Sequence, residues 1–246
     1  MTDLQRSESG LVLPRYGREN AEIDPPLDFA GYRSTALRHP KNPLVMLPQM
    51  LTEVTAPVLG ESRLGPLDHD LTRQHEEEPI GQRIQVTGRV LDSDGRPVPN
   101  TLVEVWQANA CGRYRHAVDD WPAPLDPNFT GVGRCFTDSE GRYRFVTIRP
   151  GAYPWKNHHN AWRPAHIHFS LFGRAFTQRL VTQMYFPDDP LFSEDPIFNS
   201  VPDPQVRERM VSHFDWDTTE DHWQLGYTWD IVLRGPEATV FEEPHA

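Results

Sequence analysis

The sequence lacks several features that would narrow its class at once. Cysteine occurs only at Cys111 and Cys135, without the spacing of a thiolate metal site, and a chain of 246 residues does not need disulfides to fold. No charged segment followed by an apolar one opens the chain, and no apolar run approaches the length of a membrane-spanning helix. We therefore expect a cytoplasmic protein with two free thiols and no membrane partner.

Net positive charge is also absent. The formal net charge at pH 7 is −11, and Lys41 and Lys156 are the only lysines. A balance this acidic argues against nucleic acid or an anionic membrane surface as a partner. Hydrophobic residues make up only 37% of the chain, but 7 Trp, 7 Tyr and 12 Phe are too many for a disordered protein. The composition predicts a folded core surrounded by long loops.

Residues 1–75 show no sustained periodicity and are rich in proline, arginine and acidic residues. Such a segment rarely folds alone, so we expect an extended N-terminal arm that packs on the core or on a partner subunit. Within this arm, residues 35–38 are the candidate for one helical turn. We assign residues 76–246 to the core.

From residue 83 onward the sequence alternates as β-strands do. The β-rich runs are RIQVTGRVLD, TLVEVWQAN, the two halves of VGRCFTDSEGRYRFVTIRPG, AHIHFSLFG, FTQRLVTQMYF and QLGYTWDIVLRG. The D-S-x-G turns at residues 92–95 and 138–141 predict hairpins. Residues 202–214 are the one short helix candidate in this part of the chain. The pattern predicts an all-β protein, an antiparallel β-sandwich.

Two long loops interrupt the strands, at residues 111–133 and 150–164. Loops of this length inside a compact domain are usually functional or disordered, and the Tyr, Trp and Phe residues in these two disfavour disorder. We therefore expect the two loops to build a site.

A His-x-His pair, His166 and His168, lies in the apolar run AHIHFSLF. Residues i and i+2 of a strand point to the same side, roughly 6–7 Å apart, so both imidazoles face one way while Ile167 and Phe169 face the opposite layer. Two imidazoles at this spacing can close on one metal ion. On its own, the pair fits a metal site and the polar face of a half-exposed strand equally well.

Further metal donors occur in the two long loops. Tyr114 in GRYRH and Tyr153 in PGAYPW are the stronger candidates, although a packing role is as plausible for either from the pattern alone. The other titratable candidates are weaker: His116, Asp138, His158 and His159. The turn at residues 138–141 is enough to explain Asp138, and the side chains of the adjacent residues His158 and His159 diverge. Phenolate oxygens with imidazoles and no thiolate favour iron(III) over zinc or an iron–sulfur cluster.

The segments GRYRH, LDPNFTGVGRCFTD, PGAYPWKN and WRPAHIHF closely resemble the motifs of the intradiol ring-cleavage dioxygenases, over about residues 83–235. The resemblance implies one non-haem Fe(III) per chain, held by Tyr114, Tyr153, His166 and His168 with solvent hydroxide in a fifth position. It also implies that Tyr153 leaves the metal when the substrate chelates, and that Arg163 stabilises charge on the bound ring.

The remaining implied pocket residues are Tyr32, Trp155 and Gln183, which would line the space for the substrate and O2. Without the resemblance, Arg163 fits a surface arginine before a proline, Gln183 an ordinary polar strand residue and Trp155 ordinary packing. The resemblance therefore carries these assignments.

The arm segment GYRSTALRHP resembles the iron-carrying subunits of the family members that act on protocatechuate. The resemblance implies cleavage of protocatechuate by O2 to 3-carboxy-cis,cis-muconate, with an iron-free companion α subunit in a high-order hetero-oligomer. One alternative is a catechol or hydroxyquinol dioxygenase. Those enzymes carry an N-terminal helical dimerisation domain, and residues 1–75 of this chain do not match one. A second is a non-enzymatic, transthyretin-like binding module, which would hold no iron.

Overall fold

A computed structural model describes residues 4–6, 12–14, 24–42, 64–156, 161–173 and 176–240. The strands of these residues are β1 (Leu4–Arg6), β2 (Val12–Pro14), β3 (Arg83–Leu91), β4 (Leu102–Gln107), β5 (Val132–Phe136), β6 (Arg142–Ile148), β7 (Tyr153–Trp155), β8 (Ala161–Arg163), β9 (His166–Gly173), β10 (Phe176–Tyr185), β11 (His213–Glu220), β12 (Gln224–Thr228) and β13 (Ile231–Val232). The helices are α1 (Thr35–Arg38) and α2 (Pro204–Glu208), with 3₁₀ turns at Phe192–Glu194 and Phe198–Ser200. Within the described ranges, no helix has the length and apolar character needed to cross a membrane.

Two sheets form the sandwich. The first has the order β10-β9-β4-β5 and is antiparallel throughout. In the second, β6 pairs antiparallel with β3, β12 and then β13 pair in parallel with successive parts of β3, and β11 pairs antiparallel with β12. The prediction of an all-β sandwich is confirmed. Two small ribbons, β1–β2 and β7–β8, are separate from the two sheets.

The core lies between the two sheets and is built from alternate residues of facing strands. Ile84 and Val86 of β3, together with Ile167, Phe169 and Leu171 of β9, are fully buried there. Burying one such side chain stabilises the fold by about 1.5–3 kcal/mol, so the inward faces of β3 and β9 account for much of the stability of the sandwich. The other face of β9 is left for polar side chains.

The two D-S-x-G turns form, and at the first one the chain folds back as a short antiparallel hairpin, but neither turn joins two strands of the same sheet. The Gly95 amide donates to the Asp92 carbonyl at 3.1 Å, and the Gly141 amide donates to the Asp138 carbonyl at 3.0 Å. The strands flanking each turn nevertheless lie in different sheets, because β3 pairs with β6 while β4 pairs with β5. After the first turn, Pro97 forms a bridge to Leu91 and the Val98 amide donates to the Val90 carbonyl at 2.9 Å, so the pairing continues for only a short distance. Both turns therefore pass the chain from one layer to the other.

The helical prediction at residues 35–38 is confirmed, whereas the candidate at residues 202–214 is helical only over α2. The Asp203 carboxylate caps α2 by accepting from the Gln205 amide at 2.8 Å. Further along, the Met210 carbonyl accepts from the Tyr185 amide at 2.7 Å and the Ser212 amide donates to the Tyr185 carbonyl at 2.8 Å. The chain leaves the helix because its backbone pairs with the end of β10 instead.

The end of the predicted N-terminal arm packs on the sandwich. Leu71 is fully buried in the core, and its amide donates to the Val146 carbonyl at 2.9 Å. The Gln74 side chain donates to the Val132 carbonyl at 3.1 Å. The boundary at residue 75 between arm and core stays a prediction.

Candidate metal centre

The two histidines of β9 share its outward face. Their ring centroids lie 4.8 Å apart, with His166 buried and His168 half-buried. Ile167 and Phe169 lie in the core on the opposite side, as the alternation predicts. In the sheet register, β10 places residues 183 and 185 beside the pair, and β4 places Trp106 beside His168.

The hydrogen bond of His166 fixes which ring nitrogen can act as a ligand. Its Nδ1 lies 2.7 Å from the Pro164 carbonyl oxygen, which can only accept, so Nδ1 carries the proton. The Nε2 atom then bears the lone pair, and it lies 3.3 Å from the Tyr153 hydroxyl. Burial first, and then the charges of Arg163 and His168, hold the pKa of His166 well below its ordinary value. This imidazole is therefore neutral and correctly oriented for a metal.

His168 is held by stacking rather than by a carbonyl. The Trp106 ring lies parallel to it, with centroids 4.8 Å apart and an interplanar angle of 2°. Burial first, and then the charge of Arg163, lower the pKa of His168 to about 3. Its Nδ1 is buried without a hydrogen-bond partner among the described residues. Such a nitrogen is rare in a folded protein, and a bound ion or an ordered water would satisfy it.

Two glycines bring the two tyrosine loops together. Gly112 has φ +75, and a Cβ added there would lie 2.2 Å from the carbonyl oxygen of Ala152. A Cβ added at Gly151 would lie 2.4 Å from the Ala110 carbonyl oxygen. No larger residue fits either contact without a backbone shift. The loops after β4 and before β7 therefore touch backbone to backbone.

Polar side chains then set the path of the first loop. The Asn109 side-chain oxygen accepts from the amides of Cys111 at 2.9 Å and Arg113 at 3.0 Å. The Asp119 carboxylate accepts from the amide of Tyr114 at 2.7 Å and from that of Trp121 at 2.9 Å. These local bonds replace the strand ladder that the loop lacks and direct Tyr114 toward the histidines.

The four predicted ligands form a closed ring of neighbours. Centroid distances are 5.5 Å for Tyr114–Tyr153, 5.6 Å for Tyr153–His166, 4.8 Å for His166–His168 and 6.3 Å for Tyr114–His168. Nowhere in the described part of the chain do three or more His, Cys, Asp or Glu side chains group as a metal site. The closed ring offers two imidazoles and two phenol oxygens, and such a donor set fits ferric iron.

Arg163 connects the ring of ligands to the other predicted pocket residues. Its backbone pairs with Tyr153 across the β7–β8 ribbon. Its Nη2 donates to the Gln183 side-chain oxygen, and its guanidinium carbon lies 5.8 Å from the Trp155 ring centroid. Trp155 in turn meets Tyr32 edge to face, with centroids 4.6 Å apart. The structure thus brings all the predicted site residues together, while their roles stay predictions.

The weaker candidates lie elsewhere. His116 is exposed in its loop, and the Asp138 carboxylate is used by its own turn, where it accepts from the amides of Glu140 and Arg142 at 2.8 Å. The pair His158 and His159 lies outside the described residues.

Three residues that contact the site were not found from the sequence. They are Trp106, which stacks on His168, and Tyr185 and Asp195, which contact Arg163. The positions of the first two depend on the register of β4 and β10 against β9, and no local pattern encodes that register. The third lies in the loop SEDPIF, whose only signal is that of a turn.

Comparison with known proteins gives matches over most of the chain. A family model described as "Dioxygenase" matches residues 54–235, and one described as "Protocatechuate 3,4-dioxygenase beta subunit N terminal" matches residues 18–50. The chain is 62% identical over 213 residues to the protocatechuate 3,4-dioxygenase beta chain of Burkholderia cepacia, covering 86% of this chain and 90% of the relative. It is 28% identical over 208 residues to the protocatechuate 3,4-dioxygenase alpha chain of Pseudomonas putida, covering 81% and 98% of the two chains.

Other matches cover less of the chain. The chain is 34% identical over 145 residues to hydroxyquinol 1,2-dioxygenase of Rhizobium sp., covering 54% of this chain and 45% of the relative. The solved structure of 3-chlorocatechol 1,2-dioxygenase from Rhodococcus opacus 1CP matches with a TM-score of 0.52 at 22% identity, covering 68% of this chain and 64% of that chain. At this identity the structural match shows a shared fold alone.

Proposed function

The chain belongs to the intradiol ring-cleavage dioxygenases, and from that premise we propose that it is the iron-carrying β subunit of a protocatechuate 3,4-dioxygenase. In the proposed reaction, the ring bond between the two hydroxyl-bearing carbons of protocatechuate breaks. Both atoms of O2 enter the product, 3-carboxy-cis,cis-muconate. The similarity to the Burkholderia cepacia beta chain and the match of residues 18–50 support this substrate over catechol or hydroxyquinol.

The observation that carries the proposal is the closed ring of Tyr114, Tyr153, His166 and His168. Two imidazoles held neutral by burial and two phenol oxygens are donors that suit one ferric ion per chain. Bound there, the ion would promote loss of the phenolic protons of a chelating catechol and draw electron density from the ring, so that O2 can attack carbon. A non-enzymatic binding module would have no use for this donor set.

Tyr153 is the ligand that we propose to exchange with the substrate and to hold one of its phenolic protons. Its hydroxyl already faces an acceptor, the Nε2 atom of His166 at 3.3 Å. The loop of Tyr114, by contrast, is fixed by the carboxylate of Asp119 and the side chain of Asn109.

Arg163 is the proposed stabiliser of negative charge on the substrate ring. Its side chain is 3% exposed, and its charge contributes to the lowered pKa of both histidines, so the field of this cation reaches both predicted imidazole ligands. A fixed cation in a site that excludes water stabilises developing charge far more than an exposed one does. Gln183, Trp155 and Tyr32 would then shape the pocket and keep water out.

The carboxylate of protocatechuate has no dedicated cation among the predicted site residues. The one buried arginine of the pocket already pairs with Asp195 at 3.0 Å. We therefore propose that a companion α subunit completes the pocket, in a high-order assembly of αβ units. The similarity to alpha chains supports a two-subunit enzyme.

The first test is a visible absorption spectrum of the chain, co-purified with its companion subunit, before and after anaerobic addition of protocatechuate. We expect about one iron per chain by elemental analysis and a broad tyrosinate-to-iron(III) band that moves to longer wavelength with substrate. Admission of O2 should then give the muconate product, identified by mass.

A colourless, iron-free protein would overturn the proposal and return the four residues to a packing role. A band that responds to catechol but not to protocatechuate would support the proposed ring-cleavage chemistry and contradict protocatechuate as the substrate. The variants Tyr114→Phe and Tyr153→Phe should each remove part of the band. Each is the matched control for the other in assigning the two phenolates.

A further inference from the structure

Asp195 lies fully buried behind Arg163, in the loop between the two 3₁₀ turns. The Arg163 Nε atom lies 3.0 Å from both carboxylate oxygens. The same carboxylate accepts from the Ile197 amide at 2.9 Å and from the Tyr185 hydroxyl at 3.0 Å. The carboxylate is thus held in place from the backbone side as well as from the Arg163 side.

This ion pair differs from the others in the described part of the chain. The side chains of Arg163 and Asp195 are 3% and 0% exposed, whereas each of the other pairs there has at least one partner that reaches solvent, such as Glu78 at 66% beside Arg83. A buried pair contributes little net stability compared with apolar residues of the same shape, because both charges lose their hydration. Its main physical effect is therefore on the position and field of the arginine.

The contacts of Arg163 fix the plane of the guanidinium. Asp195 engages Nε, while Nη2 donates to the Gln183 side-chain oxygen and to the Tyr185 hydroxyl, the latter at 3.1 Å. In the register of β9 and β10, Gln183 lies opposite His168 and Tyr185 lies opposite His166. Two of the three residues that hold the guanidinium, Gln183 and Tyr185, are thus the sheet neighbours of the two predicted imidazole ligands.

We propose that Asp195 is a positioning residue for the ring-cleavage reaction: it holds Arg163 at the angle and distance from which its charge stabilises the substrate ring. The inference rests on the function proposed above and assigns no contact between Asp195 and the substrate. Misplacing such a group by about 1 Å can cost on the order of 10²-fold in rate. The loss should fall on kcat, because the stabilised charge develops during the reaction.

The test is a double-mutant cycle with Asp195→Asn and Arg163→Met in the iron-loaded complex with the companion subunit. We expect Asp195→Asn alone to lower kcat by roughly tenfold, with KM changed by less than about threefold. In the Arg163→Met background, the same change should lower kcat by less than about twofold. Iron content and the resting tyrosinate band should stay at the wild-type level in all four proteins.

Asp203→Asn is the matched control. It makes the same chemical change in a carboxylate that only caps α2, and kcat should stay at the wild-type value. Tyr185→Phe is the second variant, in case Asp195→Asn does not fold. It removes a hydroxyl that contacts both Arg163 and Asp195, and it should lower kcat by roughly threefold in the wild-type background only.

A wild-type kcat in iron-loaded Asp195→Asn, with only a lower thermal midpoint, would show that the pair is merely structural and overturn the inference. An equal loss of kcat with and without Arg163 would also overturn it, because Asp195 would then act by another route. Both results leave the proposed function intact. A wild-type complex without iron or without ring cleavage would instead overturn the proposed function and this inference with it.

Discussion

The two faces of β9 differ in what holds them. On the inner face, Ile167, Phe169 and Leu171 are held by apolar contact with both sheets. On the outer face, His166 and His168 are held by a carbonyl, a stacked indole and two tyrosine rings. The inner contacts are non-directional and depend on volume, whereas the outer ones depend on angle and on which atom carries a proton.

Because its side chains alternate between two faces, a single strand can separate the residues that stabilise the fold from those that carry the chemistry. A change on the inner face should affect the unfolding of the whole chain, and a change on the outer face should affect iron and turnover.

The largest effect on chemistry is expected from His168→Ala on the outer face. Turnover should fall by on the order of 10³-fold or more, since the metal contributes several kcal/mol to catalysis. Iron per chain, measured by elemental analysis, should fall well below the wild-type value. The thermal midpoint of the metal-free protein should change little, and a large drop there would break the separation between the two faces.

The converse change is Phe169→Ala on the inner face. The Phe169 ring centroid lies 4.9 Å from that of Trp229 and 5.8 Å from that of Phe145, so its removal opens a cavity in the core. We expect a loss of about 3–5 kcal/mol in the free energy of unfolding, measured by denaturant titration. The fraction that remains folded should still bind iron, and iron loss without destabilisation would contradict the comparison.

Tyr153→Phe keeps the ring contacts of the outer face and removes one hydroxyl. Anaerobic binding of protocatechuate, followed by stopped-flow absorbance, should slow by on the order of 10²-fold, because the group that takes up a substrate proton is gone. Tyr114→Phe is the comparison variant, since that tyrosine is not expected to leave the metal. Unchanged binding kinetics in Tyr153→Phe would show that Tyr153 does not exchange with the substrate.

Gly112→Ala tests whether the contact between the two tyrosine loops positions the ligands. Gly95→Ala is its matched control, because both glycines have φ +75 but an added Cβ at Gly95 meets nothing within 4 Å. Both variants should lose about 1–2 kcal/mol from the strained backbone, and Gly112→Ala should lose more because its Cβ also meets the Ala152 carbonyl. Only Gly112→Ala should also lower the iron content severalfold. Equal iron content in the two variants would show that the loops adjust to the clash.

The smallest effect is expected at the cysteines. Burial raises the pKa of the Cys135 thiol to about 12, so at pH 8 only about one molecule in 10⁴ carries the reactive thiolate there. Cys111 is exposed on the first tyrosine loop. Iodoacetamide should therefore alkylate one thiol per native chain and two after denaturation, as counted by mass spectrometry. Rapid labelling of Cys135 in the native protein would show that the sandwich opens near β5.

The sequence was sufficient wherever the structure depends on neighbours in the chain. The alternation of AHIHFSLF predicts both faces of β9, whereas the metal that the phenol and imidazole donors favour stays a prediction. The turns at residues 92–95 and 138–141 were also predictable as turns. Their strands were assigned to the wrong partners because pairing depends on which distant strand completes each ladder.

The residues that sequence reasoning missed share this long-range origin. Tyr185 contacts Arg163 because β10 lies beside β9 in one register, and Trp106 reaches His168 from β4 in the same way. Asp195 lies 32 positions from Arg163 in the chain, in a loop with no distinguishing motif. Their placement requires the assembled sheets.

The two turns that carry the chain between layers have a consequence for how the protein is made. Because β3 and β6 occupy one layer while β4 and β5 occupy the other, neither layer can form fully before the other has begun. One edge of β3 also waits for β12, as the contact between Thr87 and Tyr227 spans 140 positions. Contacts this distant in the chain slow folding. During synthesis the sandwich should therefore stay open on that side until the last strands emerge.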